Sequence, residues 1–574
     1  MKAIILVLIS SLFYLNGFCQ QNYYVNTLGS DDTGNGSYNL PWQTIQNGLD
    51  QLTAGDTLNI MKGTFNEKLF IEVSGTSDNK IVIRNHSNDT VIISGADIID
   101  SEAIIEISNK SNITIEGLSL ANNEMLDSKG ILIEAKCNNI TIRNNKIYNI
   151  NFSGNASDAV TEETNAQPVI VFGTESQDPI MNLIIDGNEI YNCRTGYSEA
   201  LAVNGNVDGF EITDNIVHDI TNIGIDIIGH EGTSLQNDQA RNGLVKGNTI
   251  YNCISDYATS GGIYVDGGKD LVIENNVSYH NGYGIEIGCE NTGKTTSNVT
   301  VRNNLFYDNE VCAIAVGGFD YPNGSGKVVD CDILNNTCVK NDFAVGGTGE
   351  MYITYLENAD IKNNIFYLSG QDIFAYAELS QVNLVMDYNL FYSLSGNFET
   401  EWNGTQYTSF SEFQTGTSLN ANSLFSDPLL VSADVLSADF HVQENSPAIN
   451  AGDPDFVAAD TETDFDGNER VFDNIVDCGA YECQTSSEVS KIKAAEDIVI
   501  FPNPCSSILN VRLLNDKTAK GYNYTIMNNI GQTISKGKMK SNQISLNGFS
   551  KGSYQLIILD SEYHPVHTVE FIKN

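Results

Sequence analysis

The middle of the chain repeats a short phrase in which apolar and polar positions alternate and an Asn marks the turn. Clear copies carry this Asn at Asn145, Asn188, Asn248, Asn276, Asn304 and Asn364, and weaker copies carry it at Asn215 and Asn336. The intervals from Asn248 to Asn276 and from Asn276 to Asn304 are both 28 residues. A repeat of this length without long helices indicates a solenoid in which one repeat forms one coil.

Each copy also contains a second short strand of the form Gly-Ile-x-Ile, as in 224–227, 262–265 and 284–287. Strict alternation points Ile225, Ile263 and Ile285 into the core. Short strands joined by Asn turns predict an all-β fold, a right-handed parallel β-helix that forms a single-stranded solenoid. One Asn at the same turn of every coil predicts a ladder of stacked side chains, hydrogen-bonded along the axis.

Both ends of this solenoid carry closing elements. Trp42, Ile45, Leu49 and Leu52 share one helical face and predict an N-terminal cap helix, which covers strand edges that would otherwise aggregate. A closing segment begins at about residue 420 and ends in Cys478-Gly-Ala-Tyr-Glu. With these caps, residues 23–483 resemble the pectate-lyase-like β-helix superfamily. The resemblance implies polysaccharide substrates, although a fold alone does not specify a reaction.

The chain ends predict export. Lys2 and the apolar run from Ala3 to Leu15 are typical of a signal peptide, assigned to residues 1–19, and the run is too short to span a bilayer. The β-helix is assigned to 20–483, a polar linker to 484–496 and a C-terminal domain to 497–574. That last domain has 5 acidic and 8 basic residues, a net charge of +3, whereas the whole chain carries -43.

The C-terminal domain has its own pattern of short strands. Phe501-Pro-Asn-Pro, an alternating strand at 522–526 and Gly552-Ser-Tyr-Gln-Leu predict a small β-sandwich. In these motifs it resembles the sorting domain of the bacterial type IX secretion system. The resemblance implies that the type IX machinery is a partner, and that the protein is secreted or held on the outer surface of a Gram-negative bacterium.

The charge narrows the partners further. With 73 acidic and 30 basic residues, the chain lacks the clustered cations that binding to nucleic acid requires. Apart from the signal peptide, no segment is apolar enough to cross a membrane, so we expect a protein that is not transmembrane, and we expect a monomer. The sequence assigns no metal ligands with certainty, but its carboxylates are compatible with Ca²⁺ as a cofactor.

The outward positions of the second strands predict a site. Asp226, Tyr264 and Glu286 should form a column on three successive coils and point to solvent, with Asp266 one outward step further along. Coils are about 4.8 Å apart, so the Asp226 and Glu286 carboxyl groups could approach the roughly 6.5 to 9.5 Å of an inverting glycosidase pair.

Loops at the ends of these strands add further candidates, because solenoids usually keep their binding residues on long loops. His230 and Glu231 follow one strand and could exchange protons near neutrality. Glu290 and Lys294 follow another strand, and Arg241 ends the loop that His230 begins. We therefore expect Asp226, Glu286, Asp266, His230 and Glu231 as catalytic residues, and Tyr264, Arg241, Glu290 and Lys294 as substrate-binding residues.

Three functions fit this pattern. The first is a secreted polysaccharide-degrading glycoside hydrolase, narrowly favoured because carboxylates dominate the predicted face and no Lys is well placed on it. The second is a calcium-dependent polysaccharide lyase, in which Ca²⁺ neutralises a uronate and Arg241, Lys269, Lys294 or Tyr264 takes the proton. The third is a non-catalytic carbohydrate-binding or cell-surface protein.

Overall fold

The computed structural model describes residues 20–484, apart from 97, 100, 156, 345 and 474, and residues 498–574, apart from 514–521, 529–531 and 560–564. The predicted signal peptide and nearly all of the predicted linker lie outside the described residues. The chain divides into two compact units, one that ends at Cys483 and one that begins at Gln484.

The first unit is a parallel β-solenoid built from three sheets, each with thirteen strands. Sheet 1 contains Asn22–Val25, Thr57–Ile60, Ile81–Asn85, Ser111–Glu116, Asn138–Arg143, Ile180–Asp186, Val207–Thr213, Arg241–Lys246, Lys269–Glu274, Thr295–Arg302, Lys327–Leu334, Leu356–Lys362 and Val382–Asp387. Sheet 2 contains Leu69–Phe70, Ala103–Ser108, Ser128–Glu134, Ala166–Gly173, Leu201–Gly205, Ile225–Ile228, Gly261–Asp266, Tyr283–Gly288, Cys312–Val316, Met351–Ile353, Ile373–Ala377, Glu399–Trp402 and Thr405–Tyr407. Sheet 3 contains Gly63–Asn66, Val91–Ser94, Ser119–Glu124, Lys146–Asn151, Glu189–Cys193, Ile216–Ile220, Thr249–Cys253, Val277–Tyr279, Leu305–Tyr307, Thr337–Val339, Ile365–Tyr367, Leu390–Tyr392 and Leu424–Phe425.

The core and the turns follow the sequence pattern. Ile225, Ile263 and Ile285 are fully buried inside the solenoid. The Asn ladder runs unbroken from Asn145 to Asn389, because each side-chain amide donates to the amide oxygen of the next Asn at 2.9 to 3.1 Å. The prediction of a parallel β-helix with an Asn ladder is confirmed.

Both ends of the solenoid are closed. The helix Ile45–Asp50 covers the first coil, with Thr44 as its N-cap, and it buries Ile45 and Leu49. At the other end come the helix Phe410–Thr417, a hairpin of Leu430–Ser432 and Asp439–Val442, and the 3₁₀ turn Val435–Ser437 between its strands. Within the described residues, none of the helices has the length and apolar character that a membrane span requires.

The second unit is a small antiparallel β-structure. One sheet contains Ile498–Phe501, Ile508–Leu513 and Gln543–Ser545, and the other contains Asn523–Asn528, Thr533–Lys538, Gly552–Leu559 and Pro565–Lys573. Leu509 and Val511 of the first sheet share one apolar core with Ile526, Leu556 and Phe571 of the second. Two sheets packed over one core form the predicted β-sandwich.

Candidate functional site

A column of outward-facing residues runs along sheet 2, where neighbouring strands pair in parallel register. Asp226 pairs with Tyr264, Tyr264 with Glu286, Glu286 with Ala315 and Ala315 with Tyr352. Because neighbouring strands are about 4.8 Å apart, the Asp226 and Glu286 backbones are separated by roughly 9.6 Å. The alignment that strict alternation predicts for these side chains is confirmed.

The column is outward-facing but is not solvated, which differs from the expectation. Asp226 is 3% exposed, Tyr264 6% and Asp266 4%, while Glu286 is half-buried. Alternation along a strand sets the direction of a side chain, but it carries no information about loops that fold over it. The expectation that these residues point into bulk solvent is therefore wrong, because loops border the column on both sides.

On one side, the column is bordered by loops that precede the sheet 2 strands, and we call this side a rim. The Tyr257 hydroxyl donates to the Thr221 carbonyl oxygen at 2.9 Å, and the Ser198 hydroxyl donates to Asn165 Oδ1 at 3.0 Å. These bonds join loops of different coils, so the rim is held as one structure.

The opposite rim comes from loops that follow the strands. The backbone amide of Gly232 donates to Asp238 Oδ2 at 2.7 Å, which folds the loop 229–239 on itself. Asn291 Nδ2 donates to Glu231 Oε1 at 2.8 Å, which links this loop to the one after Gly288. Glu231 is thereby positioned at the site.

The two rims enclose a cavity of about 1120 Å³ over sheet 2. Among its described lining residues every charged side chain is a carboxylate, and none is Lys, Arg or His. These seven acids are Glu162, Glu199, Asp226, Glu231, Asp266, Glu286 and Glu290. Aromatic rings also line it, from Tyr197, Tyr264, Tyr283, Phe319 and Tyr352. We call this space the carboxylate cavity.

Burial and crowding shift the acids towards their protonated forms. Burial, and then the neighbouring carboxylates of Glu199 and Asp266, raise the pKa of Asp226 well above its usual value. Burial, followed by the charge of Glu290, raises the pKa of Glu286 to about 8. Burial raises the pKa of Glu199 to about 7, with repulsion from Glu290 adding to the shift. Acids with raised pKa values near neutrality are suited to proton donation.

Three of the acids form a tight cluster. Carboxylate oxygens of Glu231, Asp266 and Glu290 lie within 4.8 Å of one another. Glu290 donates its backbone amide to Asp266 Oδ1 at 2.6 Å and accepts from the Tyr264 hydroxyl at 3.3 Å. Nearby, Asp226 Oδ1 is buried and has no hydrogen-bond partner among the described residues. An all-oxygen donor set of this kind fits Ca²⁺.

Three predicted site residues are not brought to the carboxylate cavity. His230 turns its Nε2 towards the Thr295 carbonyl oxygen at 3.3 Å, and burial lowers its pKa. Arg241 lies on sheet 1, where its guanidinium pairs with Asp208 at 3.0 Å. Lys294 is exposed and is not among the described residues that line the cavity. The structure therefore assembles six of the predicted site residues, without His230, Arg241 and Lys294: Asp226, Tyr264, Asp266, Glu286, Glu231 and Glu290.

Sequence reasoning missed Glu199, Glu162 and Tyr283. Glu199 precedes the strand Leu201–Gly205, and that strand pairs Ala202 with Asp226. The repeat register could have placed Glu199 on the coil next to Asp226, but its surrounding residues show no alternation. Glu162 lies in the loop between the strands Lys146–Asn151 and Ala166–Gly173, and this loop does not follow the repeat. Only the fold could therefore reveal its position.

Comparisons with known proteins agree with the two units. Residues 237–414 match the model of the right-handed beta helix region family, and residues 499–573 match the secretion system C-terminal sorting domain. Over 442 residues, the chain is 32% identical to the uncharacterized protein YwoF of Bacillus subtilis (strain 168), which covers 74% of this chain and 91% of YwoF. The chain belongs to the YwoF family. It is a right-handed parallel β-helix protein with a type IX sorting tail, and is therefore secreted or located at the cell surface.

This YwoF family member is also similar to other proteins. It is 36% identical over 87 residues to pectate lyase PEL9 of Emericella nidulans, over 15% of this chain and 21% of that protein. Among solved structures, the complex of XylC with xylose has a TM-score of 0.46 at 12% identity, covering 71% of this chain and 87% of that one. Pectate lyase Pel9A has a TM-score of 0.43 at 14% identity, covering 81% and 97%.

Proposed function

We propose that this protein is an exported glycoside hydrolase that cleaves a neutral polysaccharide in the carboxylate cavity. The observation that carries the proposal is that every charged side chain among the described lining residues is a carboxylate. Glycoside hydrolysis needs two carboxyl groups and no other charged group. The aromatic rings of Tyr352 and Phe319, which are partly or largely exposed, provide surfaces against which sugar rings pack.

Asp226 and Glu286 are the proposed reacting pair. Glu286, whose pKa is raised to about 8, keeps its proton at neutral pH and donates it to the oxygen of the leaving sugar. Asp226 Oδ1 has no hydrogen-bond partner among the described residues, so it can hold the attacking water. Asp226 takes the proton of that water in those molecules in which Asp226 is ionised while Glu286 still carries its proton. The two-coil spacing of roughly 9.6 Å between backbones suits an inverting enzyme, which needs room for water between the carboxyl groups.

The charge of the cavity favours a neutral sugar over a uronate. Seven carboxylates line it, so a uronate would add another anion where burial and repulsion already raise the pKa values of Asp226 and Glu286. No cation among the described lining residues compensates for that charge. A neutral glycan avoids this repulsion.

A calcium-dependent lyase is the second candidate, and the cluster of Glu231, Asp266 and Glu290 favours it. These residues would hold the ion, and a bound Ca²⁺ would supply the positive charge that neutralises a uronate. The partial similarity to pectate lyase PEL9 points the same way. A lyase also needs a base, and Lys269, Lys294 and Arg241 all lie outside the described lining. Tyr264 does line the cavity, but burial and the neighbouring acids raise its pKa well above the usual value, which opposes its action as a base.

We further propose the limits of the exported protein. Cleavage after Cys19 would leave a β-helix of residues 20–483, a linker of 484–496 and a removable tail of 497–574. The mature enzyme would act as a monomer, secreted or on the surface of a Gram-negative cell.

The test measures reducing ends and the ultraviolet absorbance of unsaturated uronides together, on neutral and uronic polysaccharides, with and without a calcium chelator. Reducing ends alone, unaffected by chelator, are expected. Both signals rising together and both lost with chelator would establish the lyase instead. Silence on every polysaccharide would favour the binding role.

Matched variants locate the chemistry. We expect Asp226→Asn and Glu286→Gln each to lower kcat by roughly 10²- to 10⁴-fold. Glu401→Gln is the control, because Glu401 continues the same outward column but is not among the described lining residues. Full activity in both site variants would reject this pair.

A further inference from the structure

The outward column of sheet 2 changes character on the coils that precede Asp226. Leu132, Ile170 and Ala202 are in register with one another and with Asp226. Although they face outward, Ile170 and Ala202 are fully buried. They form an apolar cluster with Ile228, against which Leu132 and Phe172 pack. We call these five residues the end wall.

Loop hydrogen bonds hold a cover beside the end wall. After Gly229 the chain turns back towards the preceding coils, where the Thr233 hydroxyl donates to Asn204 Oδ1 at 2.7 Å. Further along the loop, Gln177 Nε2 donates to Gln236 Oε1 at 2.8 Å, two coils before Ile228. Opening the wall would expose buried apolar surface to water as well as break these bonds.

The floor of the carboxylate cavity stops at this wall. Of the column residues, Asp226, Tyr264, Glu286 and Tyr352 line the cavity, whereas Leu132, Ile170 and Ala202 are not among its described lining residues. Ile228 lines it and belongs to both structures. The floor of the cavity therefore ends before Ala202, while Gln167, Glu199 and Asn204 of the preceding coils still line its sides.

The opposite side has the features of an exit. Phe319 lines the cavity and is 79% exposed. Tyr352 and the next column residue, Tyr376, are half-buried and stack with ring centroids 5.9 Å apart. Aromatic side chains that are partly open to solvent can contact successive sugars of a chain that leaves the cavity.

We infer that the carboxylate cavity accepts the end of a glycan chain, so that the enzyme releases short products from that end. The terminal sugar abuts the end wall, and the rest of the chain leaves past Tyr352 and Tyr376. Asp226 lies one coil from Ala202 and Glu286 lies three coils from it, which leaves room for about one or two sugar units before the cleaved bond. This inference rests on the proposed hydrolysis.

Product analysis tests the inference with the full-length mature protein and the neutral polysaccharide that it cleaves fastest. Reducing ends, viscosity and product masses are followed from the earliest time. We expect mono- or disaccharides from the start, with viscosity nearly unchanged. A fall in viscosity with a ladder of oligosaccharides would overturn chain-end binding and leave hydrolysis standing. Absence of cleavage on every polysaccharide would overturn both.

A variant of the end wall gives a second test. Phe172→Ala combined with Ile228→Ala should remove part of the end wall. Longer chain ends could then extend past the reacting pair, so we expect the share of longer products to rise by about tenfold. Leu235→Ala is the control, because Leu235 is 94% exposed on the loop 229–239 that follows Ile228. The products of this variant should match those of the wild type.

Folding of the double variant is checked by thermal unfolding, and Phe172→Leu replaces it if it does not fold. A folded variant with unchanged product lengths would show that the end wall does not limit the substrate.

Discussion

Replacing Glu350 by Gln should remove the contribution of this one carboxyl group to the pH dependence of the solenoid's stability between about pH 5 and 8. Glu350 is fully buried, and it accepts from the Asn341 backbone amide at 3.0 Å and from Asn341 Nδ2 at 2.7 Å. Asn341 Oδ1 in turn accepts from Asn309 Nδ2 at 2.8 Å. Burial raises its pKa to about 8 from the ordinary value of 4.5. At neutral pH the folded protein therefore holds a proton that the unfolded chain releases.

The sign and size follow from this difference. Below pH 4.5 both states are protonated and folding carries no penalty, whereas above that value the unfolded chain ionises first and stability falls until the pH passes the folded pKa. Each pH unit costs about 1.4 kcal/mol, so the loss approaches about 5 kcal/mol at pH 8. Gln cannot ionise, but it offers only one acceptor to the two Asn341 donors, which costs about 1 to 3 kcal/mol. The two stability curves should therefore cross, with the variant less stable at pH 5 and more stable at pH 8.

The assay is denaturant unfolding of both proteins at several pH values, with the midpoint of the solenoid transition converted to a free energy. Glu401→Gln serves as the control, because Glu401 is only half-buried on sheet 2. Its curve should follow the wild type. Parallel curves for the wild type and Glu350→Gln would refute the reasoning, since they would show that Glu350 does not titrate differently on folding.

Three further predictions concern the ladder and the cavity. Asn276→Ala removes the acceptor of the Asn248 amide at 2.9 Å and should cost about 2 to 4 kcal/mol, measured by denaturant unfolding; a cost below 1 kcal/mol would contradict a stabilising ladder. Ca²⁺ at 100 times its Kd should stabilise the protein by about 2.7 kcal/mol, seen as a rise in Tm that Asp266→Asn abolishes; equal shifts in both proteins would place the ion elsewhere. Hydrolysis should fall as the pH rises through about 8, where Glu286 loses its proton, and rates that keep rising above that pH would exclude Glu286 as the acid.

The repeat made most of the fold predictable. A side chain alternates with period two along a strand, so the Ile225 and Ile263 positions fix which residues face inward, and the register then aligns Asp226 with Tyr264. The Asn at each turn fixes where a coil ends. These are local rules, and each coil repeats them, so one correct coil implies its neighbours.

The positions of the loops that border the column follow no such rule. The exposure of Asp226, which is 3%, depends on the loops at the ends of the strands. The sequences of those loops do not repeat from coil to coil. Their positions are set by bonds between coils, such as Tyr257 with Thr221. Arg241 illustrates the same point. It is close in sequence to the loop 229–239, but its guanidinium pairs with Asp208 on sheet 1. Sequence spacing gave the distance along the chain but not the side of the solenoid on which the guanidinium lies.

The burial of the column changes what its residues can do. In solvent, Asp226 and Glu286 would both be ionised at neutral pH, and two carboxylates alone could not supply a proton donor. Between the rim loops, burial and the charges of neighbouring acids raise the pKa values of both groups, so that one of the two can keep a proton that a solvated pair would lose. The sequence pattern does not position these loops. By burying Asp226 and Glu286, they make a candidate acid–base pair out of carboxyl groups that would otherwise be exposed on the β-helix.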